Sequence, residues 1–227
     1  VVGHHTHQDG ISQMQSFFIV SDSPKTQEYP FFTKPPPNFF QWCVIYAGFP
    51  YQWFKFLQNW ERKKKDINCI KKHQSYLSGK YNSALSSSIS MKKAKALSKK
   101  MGLSFNDLIL GIVSSSLKEH FEANGDDTDE ISVSIHSILE IPKNVEDYKF
   151  GNDFVPLTCY LKLEKTIEDG CKSAKKMMDK FKRSWIPAGG YTILKFYAIC
   201  LPHAFMRHTY FSGGDKHTII LSNVPGF

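Results

Sequence analysis

From Ser90 onward the sequence alternates capped helical stretches with short apolar strands, and this alternation most constrains the fold. Ser90 is placed to cap a helix over Met91 to Met101, with Gly102 at its C-terminal end. Ser104-Phe-Asn-Asp107 has the Ser-x-x-Asp capping pattern and opens a second helix. Its residues Ile109, Ile112, Val113, Leu117 and Phe121 predict one buried stripe, and Gly125-Asp126-Asp127 ends it. Ile131, Val133 and Ile135 alternate with serines, the period of a half-buried strand. A second strand is expected over Asp153 to Leu163, and a helix capped by Thr166-Ile-Glu-Asp169 runs to about Trp185. Tyr191 to Phe211 reads as one apolar helix, and Thr218 to Leu221 as a buried strand. Strands separated by helices predict an α/β layered fold.

The N-terminal half is less regular. Val1 and Val2 start a short apolar strand that enters a polar loop ending at Gly10, and Ile11 to Val20 is a helical stretch. Pro24, Pro30 and Pro35-Pro36-Pro37 mark a loop. Phe39 to Trp60 is the most aromatic part of the chain and is followed by Arg62-Lys63-Lys64-Lys65. Aromatic rings with polar tips favour a membrane interface, and the basic run suits anionic headgroups. Pro50 is expected to break this helix, so an interfacial or re-entrant segment is predicted rather than a span. The rival reading is an aromatic core between lobes. Ser75 to Ser90 reads as loop and exposed strand.

Composition narrows the function classes. With 227 residues, 41% hydrophobic and 22% charged, the chain can bury a core, and global disorder is excluded. Five scattered cysteines without a Cys-x-x-Cys pair argue against a disulfide scaffold or structural zinc module, and favour a reducing compartment. No uncharged apolar run of about 18 residues occurs, which disfavours an ordinary transmembrane helix. The net charge of +8, spread over clusters such as Lys63 to Lys65, Lys92-Lys93-Lys95, Lys99-Lys100 and Lys175-Lys176, suits an anionic partner. Nucleic acid is the weaker option because no recognised binding motif accompanies the charge.

The strongest chemical signal is His4-His5-Thr-His7-Gln-Asp9-Gly10. A histidine titrating near neutrality accepts a hydroxyl proton when its other ring nitrogen is held in the right tautomer. Asp9 is placed to brace such a loop or to pair with a distant cation, and Gly10 permits a backbone conformation that a side chain forbids. Three histidines in four residues also suit a metal, but no Cys or carboxylate cluster nearby completes a usual ligand set, and polar surface is the blandest alternative.

His4-His5-x-x-x-Asp9-Gly10 resembles the HHxxxDG motif of the acyl-CoA-dependent acyltransferase superfamily. Three further segments are similar to the wax ester synthase/diacylglycerol acyltransferase family in particular: Ser104-Phe105-Asn106-Asp107-Leu108-Ile109-Leu110, Phe150-Gly151-Asn152 followed by Val155-Pro156-Leu157, and Ser222-Asn223-Val224-Pro225-Gly226. The sequence departs from that pattern at Phe227, where proline is usual, and at His136, where the corresponding strand commonly ends in arginine. The family's Pro-Leu-Trp motif is also absent.

The resemblance implies a two-lobed, chloramphenicol-acetyltransferase-like α/β fold, incomplete at both ends in a chain expected to be part of something longer. Residues 1–37 would end an N-terminal lobe carrying the histidine loop, 38–80 would form an aromatic and basic linker, and 81–227 the C-terminal α/β lobe. It implies fatty acyl transfer from acyl-CoA to a long-chain alcohol or diacylglycerol, giving wax ester or triacylglycerol. His5 would be the general base, His4 its support, and Asp9 and Gly10 would hold the loop. Asn106 and Asn223 are candidate oxyanion donors, while Asp107 and Gly226 would support the site; for Asp107, helix capping is the stronger reading. No cofactor or metal is implied, acyl-CoA being a substrate. The expected location is a membrane or lipid-droplet surface on the cytoplasmic side, the endoplasmic reticulum or a lipid droplet if the source is eukaryotic. Two alternatives stand beside this reading: a non-catalytic membrane-associated structural or lipid-binding protein with the same fold, and a condensation-type acyltransferase domain.

Overall fold

A computed structural model describes residues 10, 12, 13, 16, 38–61, 65–71, 80–138, 154–182 and 186–223. In chain order these form α1 (Phe39–Glu61), α2 (Met91–Lys100), α3 (Phe105–Ala123), β1 (Glu130–Ile138) and β2 (Phe154–Lys162). They continue through α4 (Ile167–Lys182), α5 (Ile186–Cys200), α6 (His203–Gly214) and β3 (Ile219–Leu221). The three strands make one mixed sheet in the order β2-β1-β3. β1 pairs with β2 antiparallel and with β3 parallel. Helix and sheet alternate as the sequence predicts, and the fold is α/β.

One sheet face is apolar. Ile131 lies opposite Leu161, and Val133 opposite Cys159, so these four residues share a side. Leu110 and Phe121 of α3 and Ala174 of α4 close over Ile131, Val133 and Leu161, and Ile193 of α5 covers Val155 and Leu157. Each of the larger side chains contributes about 1.5–3 kcal/mol by leaving water.

The other face carries Ser132, Ser134 and Thr158, all buried, which corrects the half-buried strand expected over Ile131 to Ile135. A polar strap at residues 65–71 meets Ser132, and the Thr158 hydroxyl lies 2.9 Å from the His217 ring nitrogen Nε2. Asp66 accepts hydrogen bonds from the Ser132 amide (2.5 Å), the Ser132 hydroxyl (3.0 Å) and the Thr218 hydroxyl (2.9 Å). Asn68 donates to the Thr218 hydroxyl (2.8 Å), and Lys71 donates to the His217 carbonyl (2.8 Å) and to the Asp215 carbonyl. The Cys69 amide donates to Asp126 (2.6 Å), whose carboxyl is held below the ordinary range, first by the Thr128 hydroxyl. Short hydroxyl side chains satisfied in this way cost little to bury.

Other expectations are corrected as well. The α3 stripe is rotated: Leu110, Ser114 and Phe121 are fully buried, whereas Ile112 is 40% exposed. The helix serves both the sheet and α4, and Ser114 donates to the Lys162 carbonyl (2.8 Å) while accepting from the Glu164 amide (3.0 Å). The expected Tyr191 to Phe211 helix is two helices, α5 and α6, because Pro202 is the extended N-cap of α6 at φ −57° and ψ 141°. Thr218 to Leu221 is an edge strand with Ile220 63% exposed, not a buried one. Residues 80–90 are exposed and carry no strand.

Pro50 does not break α1, which runs for 23 residues through it. Proline contributes no amide donor at that turn, and the helix, which packs against α5, continues on both sides of it. Among the described residues, no helix is long and apolar enough to cross a membrane. Of the stretch Ile11 to Val20, residues 12, 13 and 16 are helical, with the Ser16 hydroxyl donating to the Ser12 carbonyl at 3.0 Å.

Candidate active site

The start of α3 is built by a reciprocal cap. The Asp107 amide donates to the Ser104 hydroxyl (3.2 Å), and the Ser104 amide donates to the Asp107 carboxylate (2.9 Å). Asp107 is only 1% exposed, and its second oxygen makes no hydrogen bond but lies 3.5 Å from the Lys182 ammonium. The structure therefore gives Asp107 the work of fixing the helix start and anchoring the end of α4. Because Asp107 is turned inward, the preceding residue, Asn106, faces solvent.

β3 delivers the second motif to the same place. Parallel pairing of Leu221 with Ile135 carries the chain past the end of the sheet, and Asn223 then donates to the Asn106 side-chain oxygen at 2.5 Å. The two asparagines are 117 residues apart in sequence and both are exposed. Asn106, with its oxygen occupied, keeps its amide N–H groups for another acceptor. That is the donor chemistry a developing oxyanion requires.

Gly10, half-buried and helical, is the described residue of the histidine loop; His4, His5, His7 and Asp9 lie outside the described residues, as does Gly226. Among the described residues no cluster of His, Cys, Asp and Glu is suited to a metal ion. Lys182 was not singled out in the sequence, where it is one of many lysines. The crossing of α3 over α4 was also missed. A Cβ at Gly111 would stand 2.6 Å from the Cys171 amide nitrogen, and one at Gly170 would stand 2.6 Å from the Gly111 carbonyl oxygen. An isolated glycine in a helical pattern was the available signal.

The buried thiols are not activated. Burial pushes Cys159 up to about 12 and also raises Cys171. Cys43 and Cys200 are exposed. Iodoacetamide at pH 7.5 is expected to label Cys43 and Cys200 in the folded protein, and Cys159 and Cys171 only after denaturation; mass-spectrometric mapping that finds Cys159 labelled as readily as Cys43 would contradict this burial.

Fold and site together define an α/β domain whose Asn-Asp helix start and post-strand asparagine meet at one end of a three-stranded sheet. Residues 150–226 match the family model of the WS/DGAT C-terminal domain. Over that part, the chain is similar to the C-terminal domain of the wax ester synthase/diacylglycerol acyltransferase family. The match spans the Phe150 and Ser222 motifs and leaves Ser104 to Leu110 and the histidine loop outside. No curated protein matches the sequence. Among solved structures, the chain is similar to the epimerization domain from the third module of tyrocidine synthetase B, at 13% identity and a TM-score of 0.45, covering 83% of this chain and 45% of that one. It is also similar to the first condensation domain of the calcium-dependent antibiotic synthetase in complex with a substrate analogue, at 10% identity and a TM-score of 0.42, covering 79% and 41%. The chain spans less than half the length of either structure.

Proposed function

We propose that this chain is part of an O-acyltransferase that moves a fatty acyl group from acyl-CoA to a long-chain alcohol or diacylglycerol, with His5 as general base. The observation that carries the reading is the meeting of Asn106 and Asn223, which joins a motif outside the matched family segment to one inside it. In the reaction, His5 takes the proton from the alcohol hydroxyl as its oxygen attacks the thioester carbonyl carbon. The tetrahedral oxyanion accepts hydrogen bonds from the asparagine pair. Collapse breaks the carbon–sulfur bond, and the leaving thiolate receives the proton that His5 holds. His4 supports His5, and Asp9 and Gly10 hold the loop. No covalent acyl-enzyme is required.

The protein would work at a membrane or lipid-droplet surface. Phe39, Tyr46, Tyr51 and Phe54 of α1 and Phe196 and Phe211 of the neighbouring helices expose large rings, and Lys195 sits 4.3 Å above the Tyr191 ring. The segments 39–60 and 186–214 contain no Asp or Glu, which suits an anionic lipid surface.

The test is thiol release from palmitoyl-CoA by the full-length protein, with hexadecanol and separately with dioleoylglycerol as acceptor. Acceptor-dependent release with formation of the matching ester is expected. Binding of lipid vesicles without release under either condition would replace this reading with a non-catalytic lipid-binding one.

A further inference from the structure

The lysines of α4 are ordered. Lys172, Lys175, Lys176 and Lys180 recur at helical spacing and line an open depression on one face of the helix, together with Asp179. Some of this charge is compensated locally: Lys172 pairs with Asp169 at 3.0 Å, and Asp179 lies 3.8 Å from Lys182. Among the described residues no carboxylate pairs with Lys175, Lys176 or Lys180. Lys175 instead donates to the Gly102 carbonyl at 3.1 Å, fixing the α2–α3 turn beside the helix. Lys99 and Lys100 lead directly into that turn.

The stripe has a direction. It runs about 15 Å from Lys172 to Lys182 along the helix. At its C-terminal end Lys182 lies 3.5 Å from Asp107, next to Asn106 and its contact with Asn223. A row of cations that ends at the place where an oxyanion would be stabilised suits a substrate with a reactive carbonyl at one end and phosphates at the other.

We infer that the Lys175, Lys176 and Lys180 face of α4 binds the phosphates of the CoA thioester, a step that rests on the acyl-CoA reading above. The long pantetheine arm separates CoA's phosphates from its thioester, so they are held along the helix while the carbonyl reaches the asparagines. The lysines are solvent-facing and act as exchangeable point charges on the 3′-phosphate and pyrophosphate, which makes their contribution salt-sensitive.

The experiment is equilibrium binding of CoA and of 3′-dephospho-CoA to the full-length protein, by calorimetry, in low and physiological salt. Wild type is compared with K176Q/K180Q and with the charge-conserving K176R/K180R. The glutamine pair is expected to weaken CoA about tenfold and dephospho-CoA less, to flatten the salt dependence, and to leave the circular dichroism spectrum unchanged; the arginine pair should bind as wild type. Equal CoA affinity in wild type and K176Q/K180Q overturns the site while leaving the acyltransferase reading standing. A wild-type protein that binds no CoA overturns both. Phosphatidylserine vesicles form the second arm: loss of vesicle binding by K176Q/K180Q with CoA affinity unchanged assigns the stripe to lipid headgroups and overturns the CoA assignment.

Discussion

His5→Ala is expected to lower turnover of the full-length protein by about 10²- to 10⁴-fold while acyl-CoA binding is largely kept. The size is that of a positioned general base, the role proposed for His5: without it the alcohol attacks with no partner for its proton, while the phosphate site proposed along α4 is untouched. His7→Ala, outside the fixed motif positions, should cost little, whereas a metal-binding loop would need both histidines and would lose activity to a chelator. Asp9→Ala should lose activity together with stability, since its assigned work is to hold the loop. Near-normal turnover by a well-folded His5→Ala protein would end the general-base assignment.

The largest effect on stability is expected at Gly111. The α3 and α4 backbones approach so closely there that an added methyl lies 2.6 Å from the Cys171 nitrogen and 2.7 Å from its Cα. These are backbone atoms, so no rotamer change relieves the clash and the helices must part. Overpacking of this kind costs about 3 kcal/mol, a large share of the roughly 5–15 kcal/mol by which a domain is stable. Gly111→Ala should therefore shift the urea midpoint sharply downward. Gly214→Ala is the matched control, because nothing lies within 4 Å of a Cβ at that position. Equal midpoints for the two variants would contradict the close crossing.

What the sequence disclosed was local. Ser104 and Thr166 were legible as caps because a hydroxyl accepts the backbone amide three residues on regardless of the rest of the chain; the reciprocal box closes at Ser104, while at Thr166 the hydroxyl accepts the Asp169 amide and donates to the Asp169 carboxylate. The prolines show where that logic fails. Pro50 and Pro202 carry the same local penalty, yet α1 continues through Pro50 and the chain is extended at Pro202. The difference lies in what each helix packs against, which spacing does not encode. The burial of Ser132 was hidden for the same reason: the strap bonded to it begins at Lys65, far away in sequence. In the candidate site, Asn106 and Asn223 were visible as motif members, but their contact depends on β3 lying parallel to β1. Lys182 had no motif to mark it.

The docking of α1 on α5 bears on how the chain is made. α1 is complete at Glu61, and the helix it rests on ends at Cys200. At about 5–20 residues per second, translation takes roughly 7–30 s to cover the interval. For that time the aromatic helix has left the ribosome with its docking surface still unmade. The strap shares the delay, since Asp66 and Asn68 bond to Thr218, about 150 residues downstream. Contacts this distant in sequence form slowly and late. The nascent chain thus presents this aromatic helix before the helix that covers it exists, and leaves it open meanwhile to a chaperone or a nearby bilayer.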